Sequence, residues 1–128
     1  MMKFDLATLV VRDYDEAIGF YVDVLGFTLS EDSDLGNGKR WVVVRPAAGQ
    51  SGILLATADD DRQSSAIGNQ TGGRVSFFLH TDDFAATHAE WVSKGVRFLE
   101  SPRVEPYGTV AVFEDLFGNR WDLIQPRT

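Results

Sequence analysis

The sequence predicts an α+β fold made of two βαβββ modules, and three observations carry that expectation. Apolar, β-rich runs at Leu6–Val11 and Val75–Thr81 are each followed by a capped amphipathic segment and then by short strand-like runs. Laying Thr81-Asp82-Asp83-Phe84 over Val11-Arg12-Asp13-Tyr14, and Lys94-Gly95-Val96 over Leu25-Gly26-Phe27 with one deletion, aligns the two halves. Between them, residues 59–73 lose all periodicity, and a connection of that length in a small domain is a linker or a functional loop. The 128 residues therefore read as a single domain, with module one at 1–58, a linker at 59–73 and module two at 74–128. A duplication of this kind joins two half-sheets around a shared cavity.

The elements follow in order. Leu6–Val11 is mostly apolar and reads as a strand buried on both faces. Asp13 with Glu16 three residues on has the form of a capping box. Ala17, Phe20, Tyr21, Val24 and Leu25 then make one apolar helical stripe that Gly26 ends. Phe27–Ser30 opens a second strand, Asp34–Gly38 reads as a hairpin loop, Arg40–Arg45 as a third strand and Ile53–Thr57 as a fourth.

In the second half, Val75–Thr81 is a strand, and Asp83 caps a helix with the stripe Phe84, His88, Trp91 and Val92, stopped by Gly95. Val96–Leu99 and Thr109–Phe113 are strands. Gly118-Asn119 lies between two apolar runs and reads as a tight hairpin into the last strand. On that strand the period of two puts Trp121 and Leu123 on one face and Asp122 on the other. A carboxylate in the middle of a strand needs a partner or a cavity to face.

Composition excludes several classes. Twelve basic against nineteen acidic residues give a net charge of −7, which repels phosphate backbones and argues against nucleic-acid binding. With no cysteine there is no disulfide or thiolate chemistry, so a metal would need His, carboxylate, carbonyl or water ligands. No apolar run is long enough to span a bilayer, and the N-terminus lacks a signal-peptide core, which places the chain in the cytoplasm as an expectation.

The two modules, the run Asp13–Phe27 ending Phe-Tyr-Val-Asp-Val-Leu-Gly-Phe, and the terminal Phe-Glu-Asp-Leu-Phe-Gly-Asn-Arg-Trp-Asp-Leu-Ile together resemble the vicinal oxygen chelate superfamily. That superfamily holds glyoxalase I, extradiol dioxygenases, fosfomycin-resistance enzymes and the metal-free bleomycin-resistance proteins. The resemblance implies a curved mixed sheet enclosing a groove with both helices outside, and pairing as a homodimer. It also implies metal-ligand positions in the first and last strand of each module, which fall at Leu6, approximately Leu54, Ser76 and Asp122. Only Asp122 ligates strongly. Zinc needs three or four protein ligands and magnesium an oxygen-rich shell, so no cofactor is expected and a divalent metal is disfavoured. His80 shares strand parity with Ser76, yet four residues along a strand span roughly 13 Å, too far to replace a ligand there.

Candidate site residues follow from chemistry and placement. Asp122 is a cavity carboxylate able to bind a cation or take a proton, or else one held by Arg120, Arg103 or a backbone donor. His80 is a candidate for acid/base work, with a strand-end structural role as the alternative, whereas His88 on its helical stripe reads as structural. Arg103, Glu105 and Tyr107 sit in the Pro-bounded loop Ser101–Gly108, where a cation, an anion and an aromatic either grip a polar ligand or form a surface pair beside a packed ring. Ser76, Phe78, Gln70 in the Asn69–Gly73 turn, and Arg40 complete the ligand-binding candidates, while Trp41 reads as core.

Three functions remain open. The leading one is a small-molecule binding protein of the bleomycin-resistance type, working without the family metal on a cationic or aromatic ligand in the inter-module groove. The second is a lyase, isomerase or dioxygenase using Asp122 together with Ser76, His80 or Glu105, with or without a divalent metal, His80 being the further catalytic candidate. The third is a protein-interaction module.

Overall fold

The computed structural model describes residues 1–128, which fall into two units, Met1–Gly68 and Asn69–Thr128. In the first unit, Leu6–Val11 (β1) pairs in parallel with Gly52–Thr57 (β4), β4 runs antiparallel to Lys39–Arg45 (β3), and Thr28–Gly36 (β2) forms the edge, giving the order β1-β4-β3-β2. Leu9 and Val11 are fully buried while Thr8, of the opposite parity, is exposed and Val10 is half-buried, so β1 is buried on one face and not, as its composition suggested, on both. Tyr14–Ile18 (α1) starts where the Asp13 carboxylate accepts a hydrogen bond from the Glu16 N–H at 2.8 Å. The Glu16 side chain pairs with Arg12 and does not reach back, so only half of the expected capping box forms. The helix continues as a π-helical turn, Gly19–Val24, in which the Leu25 N–H reaches back to the Phe20 carbonyl. Tyr14, Ala17 and Tyr21 are its buried residues.

Two features of this unit differ from the sequence expectation. β2 is nine residues long and extends through Glu31-Asp32-Ser33-Asp34, because backbone pairing to β3 holds a segment that has no apolar alternation and is exposed throughout. Acidic side chains on an edge strand discourage pairing with another chain. The hairpin loop is correspondingly only Asn37-Gly38, with φ of 55° and 79°, the positive pair that a two-residue primed turn requires. In addition, the presumed linker contains a helix, Asp61–Ala66 (α2), capped by the Asp60 carboxylate on the Gln63 N–H. At six residues with no buried position, it shows no apolar stripe from which periodicity could find it.

The second unit repeats the topology. Val75–His80 (β5) lies parallel to Arg120–Pro126 (β9), which pairs antiparallel with Gly108–Glu114 (β8). Arg97–Phe98 (β6) and Arg103–Glu105 (β7) both pair with β8, giving the order β5-β9-β8-β6 with β7 beside β8. β7 lies in the stretch read as a loop. Phe84–Ser93 (α3) begins at the Asp83 cap and packs Phe84 and Trp91 on the sheet, where Trp91 meets Phe113 and Phe113 stacks on Trp121. His88 lies between the rings of Phe84 and Phe98, 5.5 and 4.3 Å away, as part of that aromatic layer.

The expected Gly118-Asn119 hairpin is instead the five-residue connection Asp115–Asn119 closed by register pair Glu114–Arg120. Asp115 organises it: one carboxylate oxygen accepts from the backbone N–H groups of Phe117 and Asn119, and the other accepts from the Asn119 side-chain amide, all at 2.9 Å. A buried side chain ties this turn together, with a positive φ of 103° at Gly118, where the first unit's turn has two positive φ values and only two residues. No helix in the chain is long and apolar enough to cross a membrane.

Candidate functional site

The chemistry of the second unit gathers on the sheet face opposite α3. Phe77 and Trp121 touch at 4.6 Å between ring centroids and mark the helix-facing side. Their neighbours Phe78 and Asp122, which are register partners, therefore share the other side, together with Val112, the partner of Asp122 on β8. His80 and Ile124 pair two residues further along on the same side. Asp122 is only 8% exposed, and its Oδ1 has no hydrogen-bond partner. Phe78 beside it is 64% exposed, which for an aromatic ring on a strand is an uncovered apolar surface.

Burial raises the Asp122 carboxyl above its ordinary range, Arg103 draws it back down, and Glu100 pushes it further up. Arg103 is itself already engaged. Its Nε donates to both oxygens of Glu100 at 3.0 and 3.2 Å, and its Nη1 donates to Glu105 at 3.0 Å and to the Tyr107 hydroxyl at 3.4 Å. Three carboxylates thus surround one guanidinium, and Asp122 is the one left without a direct bond to it. Such an arrangement can hold a cationic or hydrogen-bond-donating group, and the raised proton affinity of the carboxyl suits it to exchange a proton with a ligand.

The remaining sequence candidates lie elsewhere. The Arg40 guanidinium donates to Asp15 at 2.9 Å and to Asp32 at 2.7 Å, and it sits 5.1 Å above the Tyr14 ring, so its charge is spent within the first unit. The Ser76 hydroxyl shares a 3.0 Å hydrogen bond with Thr71, and Gln70 is exposed in the turn before β5. Arg120, weighed as a partner for Asp122, donates to the Gly73 carbonyl at 3.2 Å. Trp41, read as core, is 38% exposed, with its indole N–H on Glu31. Glu100 was absent from the sequence candidates although it bonds both Arg103 and the Val112 N–H. Opposite charges three residues apart around Pro102 were the one available signal.

The metal sites of related folds can be tested on donor chemistry. Leu6 and Leu54 carry no donor atom, Ser76 is bonded to Thr71, and no group of three or more His, Cys, Asp or Glu side chains comes together to hold an ion. The residues at these positions do not fit such an ion.

Comparison with known proteins places this topology. A family model described as the Glyoxalase/Bleomycin resistance protein/Dioxygenase superfamily matches residues 3–123. The chain belongs to this superfamily. A protein of Shewanella frigidimarina (strain NCIMB 400), described as uncharacterized, is 53% identical over 120 residues, covering 91% of this chain and 88% of that one. Among solved structures, TnmS3, an antibiotic binding protein from Streptomyces sp. CB03234, is 29% identical with a TM-score of 0.80 over 99% of this chain and 98% of its own. UcmS2 is 28% identical with a TM-score of 0.84, over 97% and 98%. Membership fixes the fold and leaves the chemistry to the residues of the site.

Proposed function

We propose that this member of the superfamily is a metal-independent binding protein for a small organic molecule that presents a cationic, hydrogen-bond-donating group to Asp122 and an aromatic surface to Phe78. The observation that carries this reading is the buried, unpartnered Oδ1 of Asp122 on the same strand face as the exposed Phe78 ring. A buried acceptor without a donor costs on the order of 1–3 kcal/mol, and a ligand that supplies the donor recovers it. The surplus of carboxylates around Arg103 selects a cation over an anion. The likeness to an antibiotic-binding protein supports a bulky organic ligand.

The test uses a matched pair of planar tricyclic compounds, cationic proflavine and neutral acridone, titrated by calorimetry. Proflavine binds and acridone binds at least about tenfold more weakly, a difference of about 1.4 kcal/mol. Asp122→Asn removes the preference. Equal affinity for both compounds in the wild-type protein rejects the reading. A second reading, proton transfer by Asp122, is favoured by its raised proton affinity. It requires a substrate whose turnover disappears in Asp122→Asn while affinity is retained.

A further inference from the structure

We propose that Glu100 is a positioning residue for this site: by holding Arg103 against the edge of β8 it keeps the guanidinium off Asp122 and so leaves Asp122 open to a ligand. The inference rests on the ligand-binding reading of Asp122 given above. One oxygen of Glu100 accepts the Val112 N–H at 2.9 Å, in the gap between the β6 and β7 pairings, so the carboxylate is anchored to the backbone. The same carboxylate takes the Arg103 Nε on both oxygens. Its place is thus fixed by the sheet and its charge by the arginine.

Without that hold, Arg103 has another partner within reach. Arg103 aligns with Val110 on β8, Val110 aligns with Ile124 on β9, and Asp122 lies two residues along from Ile124 on the same face. Two strand spacings and a two-residue offset put the Cα atoms on the order of 12 Å apart, a span that an extended arginine and an aspartate close to hydrogen-bonding distance. Glu105 and Tyr107 each give Arg103 a single contact through Nη1, and neither engages Nε. The charge of Arg103 already acts on Asp122 from its present position. An arginine docked on Asp122 would satisfy the buried oxygen from within the protein and close the site to an external cation.

Glu100→Gln keeps an acceptor for the Val112 N–H and removes the charge that holds the guanidinium. A crystal structure of the ligand-free E100Q protein is expected to show Arg103 hydrogen-bonded to Asp122. Proflavine affinity is expected to fall about tenfold and to return to within about twofold of wild type when Arg103→Gln is added. A guanidinium that stays on Glu105 and Tyr107 in E100Q overturns the proposal, whatever happens to affinity, as does a double variant that binds as weakly as E100Q. Failure of proflavine to bind the wild-type protein would count against the proposed function instead, and the position of Arg103 in E100Q would still decide this inference.

Discussion

The two units share a strand order and a parallel first-to-last pairing, yet they spend their polar residues in opposite ways. Thr8 pairs with Leu54 in the first as Phe78 pairs with Asp122 in the second, so Leu54 and Asp122 occupy equivalent places in the two sheets. The first unit puts leucine there and commits its arginines to structural pairs, Arg40 with Asp15 and Asp32, Arg45 with Asp5. The second puts a carboxylate there and leaves an oxygen unsatisfied. Duplication supplies two scaffolds, and in this chain one carries an apolar side chain at this place while the other carries a buried carboxylate oxygen without a partner, at the cost of some stability.

The largest expected effect is at the turns. Asp115→Ala removes the buried acceptor of three hydrogen bonds in this loop and is expected to cost about 3 kcal/mol in urea unfolding, since the orphaned donors lose their partners. Gly38→Ala in the first unit forces a side chain onto a φ of 79° and is expected to cost about 1 kcal/mol. Equal costs would mean that the two turns are not built by different devices.

The same pair of turns shows what the sequence makes legible. Asn37-Gly38 announces itself because positive φ is a property of residue type, whereas Gly118-Asn119 carries the same signal and is only the tail of a longer loop. What sets that loop is the burial of Asp115, a tertiary fact. Both central helices and the duplication were readable from caps, apolar stripes and glycine stops, since those are local. β7 and the extension of β2 over residues 31–36 were not, because their strand character comes from pairing and not from alternation. In the site, parity alone placed Asp122 opposite Trp121. The role of Glu100 depends on an edge between two short strands that no local pattern marks.

Next in size is a transplant. Leu54→Asp gives the first unit the carboxylate of the second at the equivalent place, beside Val43 and Thr8 and with Arg40 and Arg45 already paired. It is expected to cost about 2 kcal/mol, the penalty of a partly buried charge with no counterion at hand. A neutral outcome in chemical unfolding would show that the position tolerates a carboxylate in either sheet, and the absence of one from the first unit would then carry no physical meaning.

The smallest effects separate the units by sign. Burial raises Asp122, so between the ordinary carboxylate value and the raised one the folded state binds more protons than the unfolded state, and stability falls as pH rises through that window. Asp122→Asn should therefore stabilise by about 1 kcal/mol near neutral pH, with the gain fading as pH drops from the raised value to the ordinary one. Asp5 is the reverse case: a two-pronged hydrogen bond from Arg45 lowers its carboxyl, so its contribution is present above the ordinary value and is lost as pH falls through the lowered one. Asp5→Asn should destabilise at neutral pH and match wild type in acid, by a smaller margin because the pair is exposed. Urea midpoints of the wild type and both variants, taken from about pH 3 to about pH 7, should thus diverge in opposite directions as pH rises. Parallel shifts would mean that Asp122 has a partner in solution, which would remove the basis for a ligand there and leave the two sheets alike.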